Sequence, residues 1–176
     1  MTTVSEAIKK RHSARAFKDR EVDLETVKNI IQIAKQSPSG VNTQPWNVYV
    51  LSGDARDKLV NEATSRYDQG KMDGQEYLVY PKEMPDWYKE RRRAVGWAMY
   101  GAIGIEKGDT EKMMAQGRKN YEFFGAPVGI FITVKNCVGP NGWGHVGHFI
   151  QNVCLLAIEN GLATCLQEAW AELPKL

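Results

Sequence analysis

Residues 47–52 (NVYVLS) and 128–135 (VGIFITVK) are the two runs of this chain richest in β-formers, and most of what lies between and around them has helical period instead. The first alternates as a half-buried strand does, and the second is continuous enough for a buried one. Two such runs, far apart in a chain that is otherwise mainly helical, point to the α+β class. No repeat, low-complexity tract or break in composition marks a linker, so residues 1–176 read as a single domain. A chain of that length withdraws roughly 70% of its unfolded surface from water and needs no metal or disulfide to hold it together.

The remaining elements follow from caps and stripes. Thr3 and Glu6 have capping-box spacing, and Val4, Ala7 and Ile8 recur helically, which predicts a short helix ending near Lys10. Asp23 is placed to cap a second helix in which Val27, Ile30, Ile31 and Ala34 share a stripe, ended by Ser37-Pro38-Ser39-Gly40. Further helices are expected over 54–66, 86–100, 109–124 and 145–160, with a long irregular excursion over 67–85 and a short strand over 163–167. The last of these helices buries Phe149, Val153, Leu156 and Ala157, and Gly161 is placed to end it in the left-handed conformation.

Charge excludes some classes of function. The 23 basic residues against 21 acids leave a net +2, which makes the chain no obvious ligand for nucleic acid or an anionic membrane. The balance is uneven, however, because Lys9, Lys10, Arg11, Arg15, Lys18 and Arg20 face only Glu6 and Asp19 within residues 1–20. An anion is expected there. Cys137, Cys154 and Cys165 are odd in number and form no CxxC pair, and the N-terminus lacks the apolar core of a secretory signal, so a reducing, cytoplasmic setting is the simpler expectation. The longest stretch free of charged residues, 136–158, is too polar and glycine-rich for a membrane span.

Several segments could carry chemistry. In Arg11-His12-Ser13-Ala14-Arg15 an extended backbone sends residues 11, 13 and 15 to one face, where two guanidinium forks and a hydroxyl suit a phosphomonoester; a solvated basic turn is the plainer alternative. Residues 38–46 (PSGVNTQPW) are dense in small and amide side chains, fitting either a heterocyclic imide or polyol, or a turn anchored by Trp46. Residues 142–147 match GxGxxG literally, but the loop before them is too long for a Rossmann turn. His145, His148 and Cys154 lack a completing ligand cluster, so no metal site is expected and bonds from the histidines to solvent or backbone are the simpler reading. The run Lys89, Arg91, Arg92 and Arg93, interrupted by Glu90, reads as a solvated helix face, and no serine has the setting of a hydrolase nucleophile.

Taken together, RHSARAF, SPSGVNTQPW, the FFGAP stretch before a buried strand and GLATCLQ resemble, in order and spacing, the nitroreductase family of FMN-dependent oxidoreductases. The resemblance covers essentially the whole chain. It implies an α+β fold around a mostly antiparallel central sheet flanked by helices, assembled as an intertwined homodimer in which both subunits build each FMN site. By match to the motifs, Arg11, His12, Ser13 and Arg15 would hold the phosphate and ribityl chain, and Pro38, Ser39, Gly40, Asn42 and Gln44 would approach the flavin from the partner subunit. Thr164, Cys165, Leu166 and Gln167 match the segment whose backbone passes the flavin near N5, and Phe123 and Phe124 fall where an aromatic wall lies over the substrate. The reaction implied is ping-pong transfer from NADH or NADPH to a nitroaromatic or related small acceptor, with the flavin and no protein acid or base carrying the chemistry. The stretch 67–100 resembles the nitroaromatic-reducing members. Relatives are expected to continue past Leu176 into a helix, a strand and a basic arm, and to carry an acid where this chain has His145. A shortened relative that keeps the fold and binds flavin weakly, or a partner protein, without turnover is the alternative.

Overall fold

The capping box at Thr3 forms in the computed structural model, which describes residues 2–176: the Glu6 amide donates to Thr3 Oγ1 at 3.2 Å and the Thr3 amide donates to the Glu6 carboxylate at 2.8 Å. It opens α1 (Val4–Lys10). Asp23 opens α2 (Leu24–Ala34) by accepting from the amides of Glu25 and Thr26, and those two bonds hold its carboxyl below the ordinary aspartate range. The chain continues through β1 (Trp46–Ser52), α3 (Gly53–Asp68), α4 (Asp86–Ala102), α5 (Thr110–Arg118), β2 (Val128–Val134) and α6 (Pro140–Glu159). The class is α+β, as expected.

The chain divides into two compact units, one made of residues up to Asp57 with Gly125–Leu166, the other of Lys58–Phe124 with Gln167–Leu176. In the first, β1 and β2 pair antiparallel, in register from Trp46 opposite Val134 to Ser52 opposite Val128. Alternation along β1 turns Trp46 and Val48 toward a core of Ile30, Ala34, Phe149 and Val153, and leaves Asn47 and Tyr49 exposed. The Trp46 and Phe149 rings stack 4.9 Å apart, locking the strand to α6. Val27, Ile30 and Ala34 are the buried stripe of α2, and Gly161 takes φ of 71° beyond the end of α6.

Three expectations need correction. The helix drawn over 109–124 stops at Arg118, and a 3₁₀ segment, Lys119–Gly125, follows in which Phe123 and Phe124 hold φ near +52° and +53°, outside the helical region. Helix α6 starts at Pro140 rather than near His145, because a proline has no amide hydrogen to lose in the first turn; the GxGxxG run therefore lies within a helix and forms no phosphate loop. The strand over 163–167 shrinks to one parallel bridge between Ser13 and Thr164, so the only sheet among the described residues is two-stranded.

In the second unit Ala63, Tyr121 and Leu173 are buried, with Tyr67, Met72, Ala169 and Trp170 packed around them. Gly117 lets α5 come so close to Tyr67 that a Cβ there would lie 2.7 Å from the phenol oxygen. Helix α4 buries no residue: Trp87, Val95 and Trp97 are exposed, and Arg91 and Arg92 lie over the rings of Trp87 and Tyr80 at 5.2 and 4.3 Å. Among the described residues no helix is long and apolar enough to cross a membrane.

Tyr121 donates its hydroxyl to the Ala169 carbonyl at 3.2 Å, and burial, aided by the charge of Glu172, pushes its pKa from 10.0 up to about 12. A phenol raised in this way contributes stability that is complete below its unfolded value and is lost as pH rises through the folded one. Stability is therefore expected to fall between about pH 10 and pH 12, with a smaller fall over that window in Tyr121→Phe, measured by urea melts across the alkaline range. An identical alkaline profile in the variant would contradict this.

Candidate functional site

Arg11 follows the last turn of α1, where its amide closes onto the Ala7 carbonyl at 2.9 Å and its own backbone turns extended, with φ −62° and ψ 123°. The extended path continues to Ser13, and the Ala14 amide donates to the Thr164 carbonyl at 3.0 Å. Ser13 and Ala14 are thus held beside Thr164, distant in sequence. Ala14 is buried, while Arg11 and Ser13 are half-buried and His12 and Arg15 exposed. Arg15 reaches back to the Ser13 carbonyl at 3.4 Å, and His12 Nδ1 lies 3.0 Å from the Lys10 carbonyl.

Neither Arg11 nor Arg15 has a carboxylate partner among the described residues. Their fields reach neighbouring thiols. Burial raises the pKa of Cys154 on α6, opposed by a bond with Thr164 and by the charge of Arg11; burial likewise raises that of Cys165, opposed by the charge of Arg15. Arg11 and Arg15, with no carboxylate partner among the described residues, leave uncompensated positive charge on this segment.

Residues 37–44 form a second cluster in the same unit. Ser37 is buried and donates to the Ala34 carbonyl at 2.6 Å, and Ser39 Oγ accepts from the Gln44 amide at 3.0 Å. The Gln44 side chain donates to Asn42 Oδ1 at 3.1 Å, leaving Asn42 Nδ2 and Gln44 Oε1 without a partner among the described residues. Val41, Asn42 and Gln44 all hold φ between +45° and +58°, a region costing a non-glycine residue roughly 1–2 kcal/mol. Such strain persists only where surrounding bonds fix the loop.

Helix α6 supplies those bonds through side chains that spacing alone did not assign to the site. His145 Nε2 accepts from the Gly40 amide at 3.2 Å, His148 Nδ1 donates to the Pro38 carbonyl at 3.3 Å, and Asn152 Nδ2 donates to Ser37 Oγ at 2.7 Å. Positions 145, 148 and 152 lie on one face of the helix, so the signal was a polar stripe of helical period. The histidines bond backbone, as expected of them. No group of three or more His, Cys, Asp or Glu side chains among the described residues is placed to hold a metal.

Phe123, Phe124 and Gln167 belong to the other unit. Both phenylalanines are buried, the Phe123 ring stacks 4.7 Å from that of Trp170, and the Gln167 side chain donates to the Asn120 carbonyl at 2.9 Å. Cys165 is half-buried and Leu166 exposed.

The family model for the nitroreductase family matches residues 8–173. Among characterised relatives, a 4-nitrobenzoate reductase of Nocardioides sp. (strain LMS-CY) is 34% identical over 94% of this chain and 68% of that protein, and a nitrobenzene nitroreductase of Ectopseudomonas oleovorans is 32% identical over 96% and 74%. Among solved structures, the FMN and NADPH-dependent nitroreductase NfnB of Sphigopyxis sp. strain HMH superposes with a TM-score of 0.91 at 39% identity, covering 97% of this chain and 77% of that one. The FMN-dependent NfnB of Mycobacterium smegmatis, in complex with NADPH, gives a TM-score of 0.90 at 28% identity over 96% and 75%. With the motifs, the fold and these relatives in agreement, the chain belongs to the nitroreductase family.

Proposed function

We propose that this chain is an FMN-dependent oxidoreductase that uses NADH or NADPH to reduce nitroaromatic or related small acceptors, working as a homodimer in the cytoplasm with residues 1–176 as one functional domain. The observation that carries the reading is the pair of guanidinium groups, Arg11 and Arg15, which have no carboxylate partner among the described residues and sit on a strand-like segment bridged to Thr164. The chemistry that FMN supplies when bound is acceptance of hydride at N5 and return of the electrons to the second substrate in a ping-pong cycle.

The protein's part is to bind, orient and exclude water. Arg11 and Arg15 neutralise the phosphate, with Ser13 and His12 adding polar contacts to it and the ribityl chain. Pro38, Ser39, Gly40, Asn42 and Gln44 would meet the flavin of the partner subunit, where Asn42 Nδ2 and Gln44 Oε1, unpartnered among the described residues, would supply a donor and an acceptor to it. By the family resemblance Thr164, Cys165, Leu166 and Gln167 would hold the flavin through their backbone, and Phe123 and Phe124 would border the substrate. No observation favours the non-catalytic alternative.

Protein purified with added FMN is expected to be yellow, to hold about one flavin per chain and to bleach on NADH or NADPH addition under nitrogen, with colour restored by nitrobenzene or 4-nitrobenzoate. Colourless protein that no reduced nicotinamide and no added FMN alters would remove the reading.

A further inference from the structure

We propose that His145 is a positioning residue for FMN: by accepting the Gly40 amide hydrogen it fixes the 37–44 loop in the shape that meets the flavin. The inference rests on the proposed FMN site and adds to it a helix outside the segments assigned to the flavin.

Val41, Asn42 and Gln44 all lie in the left-handed region. Inside the loop the Asn42 and Thr43 backbone amides donate to the Ser39 and Gly40 carbonyls at 2.9 and 3.1 Å, and Gln44 bonds Ser39 and Asn42, but these bonds close the turn on itself and do not fix it against the rest of the fold. The loop is tied to α6 at three points that run in reverse order along the two segments, Gly40 to His145, Pro38 to His148 and Ser37 to Asn152. His145 has the distinctive role among the three, because it is the acceptor for a backbone N–H at the apex of the loop, immediately before the first left-handed residue. Its Nε2 must therefore present a lone pair, which places the ring proton on Nδ1.

The fit is also steric. Gly40 has an ordinary φ, so its lack of a side chain is explained by contact: a Cβ there would stand 3.1 Å from His145 Nε2, inside comfortable van der Waals distance. Imidazole and glycine are matched in size as well as in hydrogen bonding. A ring of the same bulk without an acceptor keeps the packing and loses the bond; a glutamine, whose amide oxygen reaches the same place as Nε2, keeps the bond without the ring.

The test compares wild type with His145→Phe and His145→Gln, reading the FMN dissociation constant and off-rate, the visible circular dichroism of bound flavin, the exchange rate of the Gly40 amide in flavin-free protein, and the melting point without flavin. His145→Phe should weaken FMN by about five-fold, mainly through faster release, alter the flavin dichroism and speed Gly40 exchange, with the flavin-free melting point little changed. His145→Gln should return affinity and exchange to near the wild-type values. The proposal is overturned if His145→Phe holds FMN as wild type does, if His145→Gln is as weak as His145→Phe, or if the lost affinity is matched by a general loss of fold stability. Wild-type protein that binds no FMN at all overturns the site itself, whereas unchanged Gly40 exchange in His145→Phe overturns only the tether, so the two failures can be told apart.

Discussion

Phe149→Ala is expected to cost the fold about 3–5 kcal/mol, the largest effect of any single substitution considered for this chain. Phe149 has no exposed surface, stacks on Trp46, and packs with Ile30, Ala34 and Val153, so it joins α2, β1 and α6 in one cluster. Truncation removes the ring contacts and leaves a cavity whose walls are held by three separate elements, which limits how far they can relax. Urea denaturation should show a lower midpoint with an unchanged slope. Ile33, on the same helix as Ile30 but 47% exposed, is the control, and Ile33→Ala should fall within about 0.5 kcal/mol of wild type. Equal losses at the two positions would mean that the core has been misplaced.

Removing both guanidinium groups, in Arg11→Ala with Arg15→Ala, should weaken FMN by about ten- to a hundred-fold. Bonds to charged groups contribute roughly 1.5–3 kcal/mol each in protected settings, and the exposure of Arg15 calls for a lower figure. Wild-type affinity should fall with added salt, and the double variant should lose most of that dependence. Because the 37–44 loop is proposed to serve the partner's flavin, mixing this variant with one altered at Asn42 and Gln44 should yield heterodimers with one intact site, whereas either parent alone has none. Undiminished FMN affinity in the double variant would remove the phosphate assignment, and failure of the mixture to recover any site would remove the shared one.

Local chemistry was legible where one residue type has one dominant role. Thr3 with Glu6, and Asp23, cap the helices they were expected to cap, and the runs at 47–52 and 128–135 are strands to within a residue at either end. The helix start at 140 was not legible because proline signals a turn as strongly as it signals a first helical turn. Phe123 and Phe124 are harder still. Nothing in two adjacent aromatics announces a left-handed backbone, which burial against residues distant in sequence imposes on them. For the site, the basic segment and the amide-rich loop could be read from composition and order. Their supports could not, since His145, His148 and Asn152 reveal a purpose only when the loop more than a hundred residues earlier is folded against them.

The pairing of β1 with β2 also has a meaning in time. Every hydrogen bond of that ladder joins residues 46–52 to residues 128–134, so none can form until the ribosome has made the intervening chain. At about 5–20 residues per second that wait lasts roughly 4–15 s. Throughout it the NVYVLS segment lacks its partner strand, and Tyr49 and Val50, one on each face and both still exposed in the fold, carry no charge to discourage other pairings. Closing so long a loop also slows the search for the correct partner once it has emerged. The part of this protein most vulnerable to mispairing during synthesis is thus neither the strained loop nor the cationic segment, but an ordinary strand that is finished long before its neighbour exists.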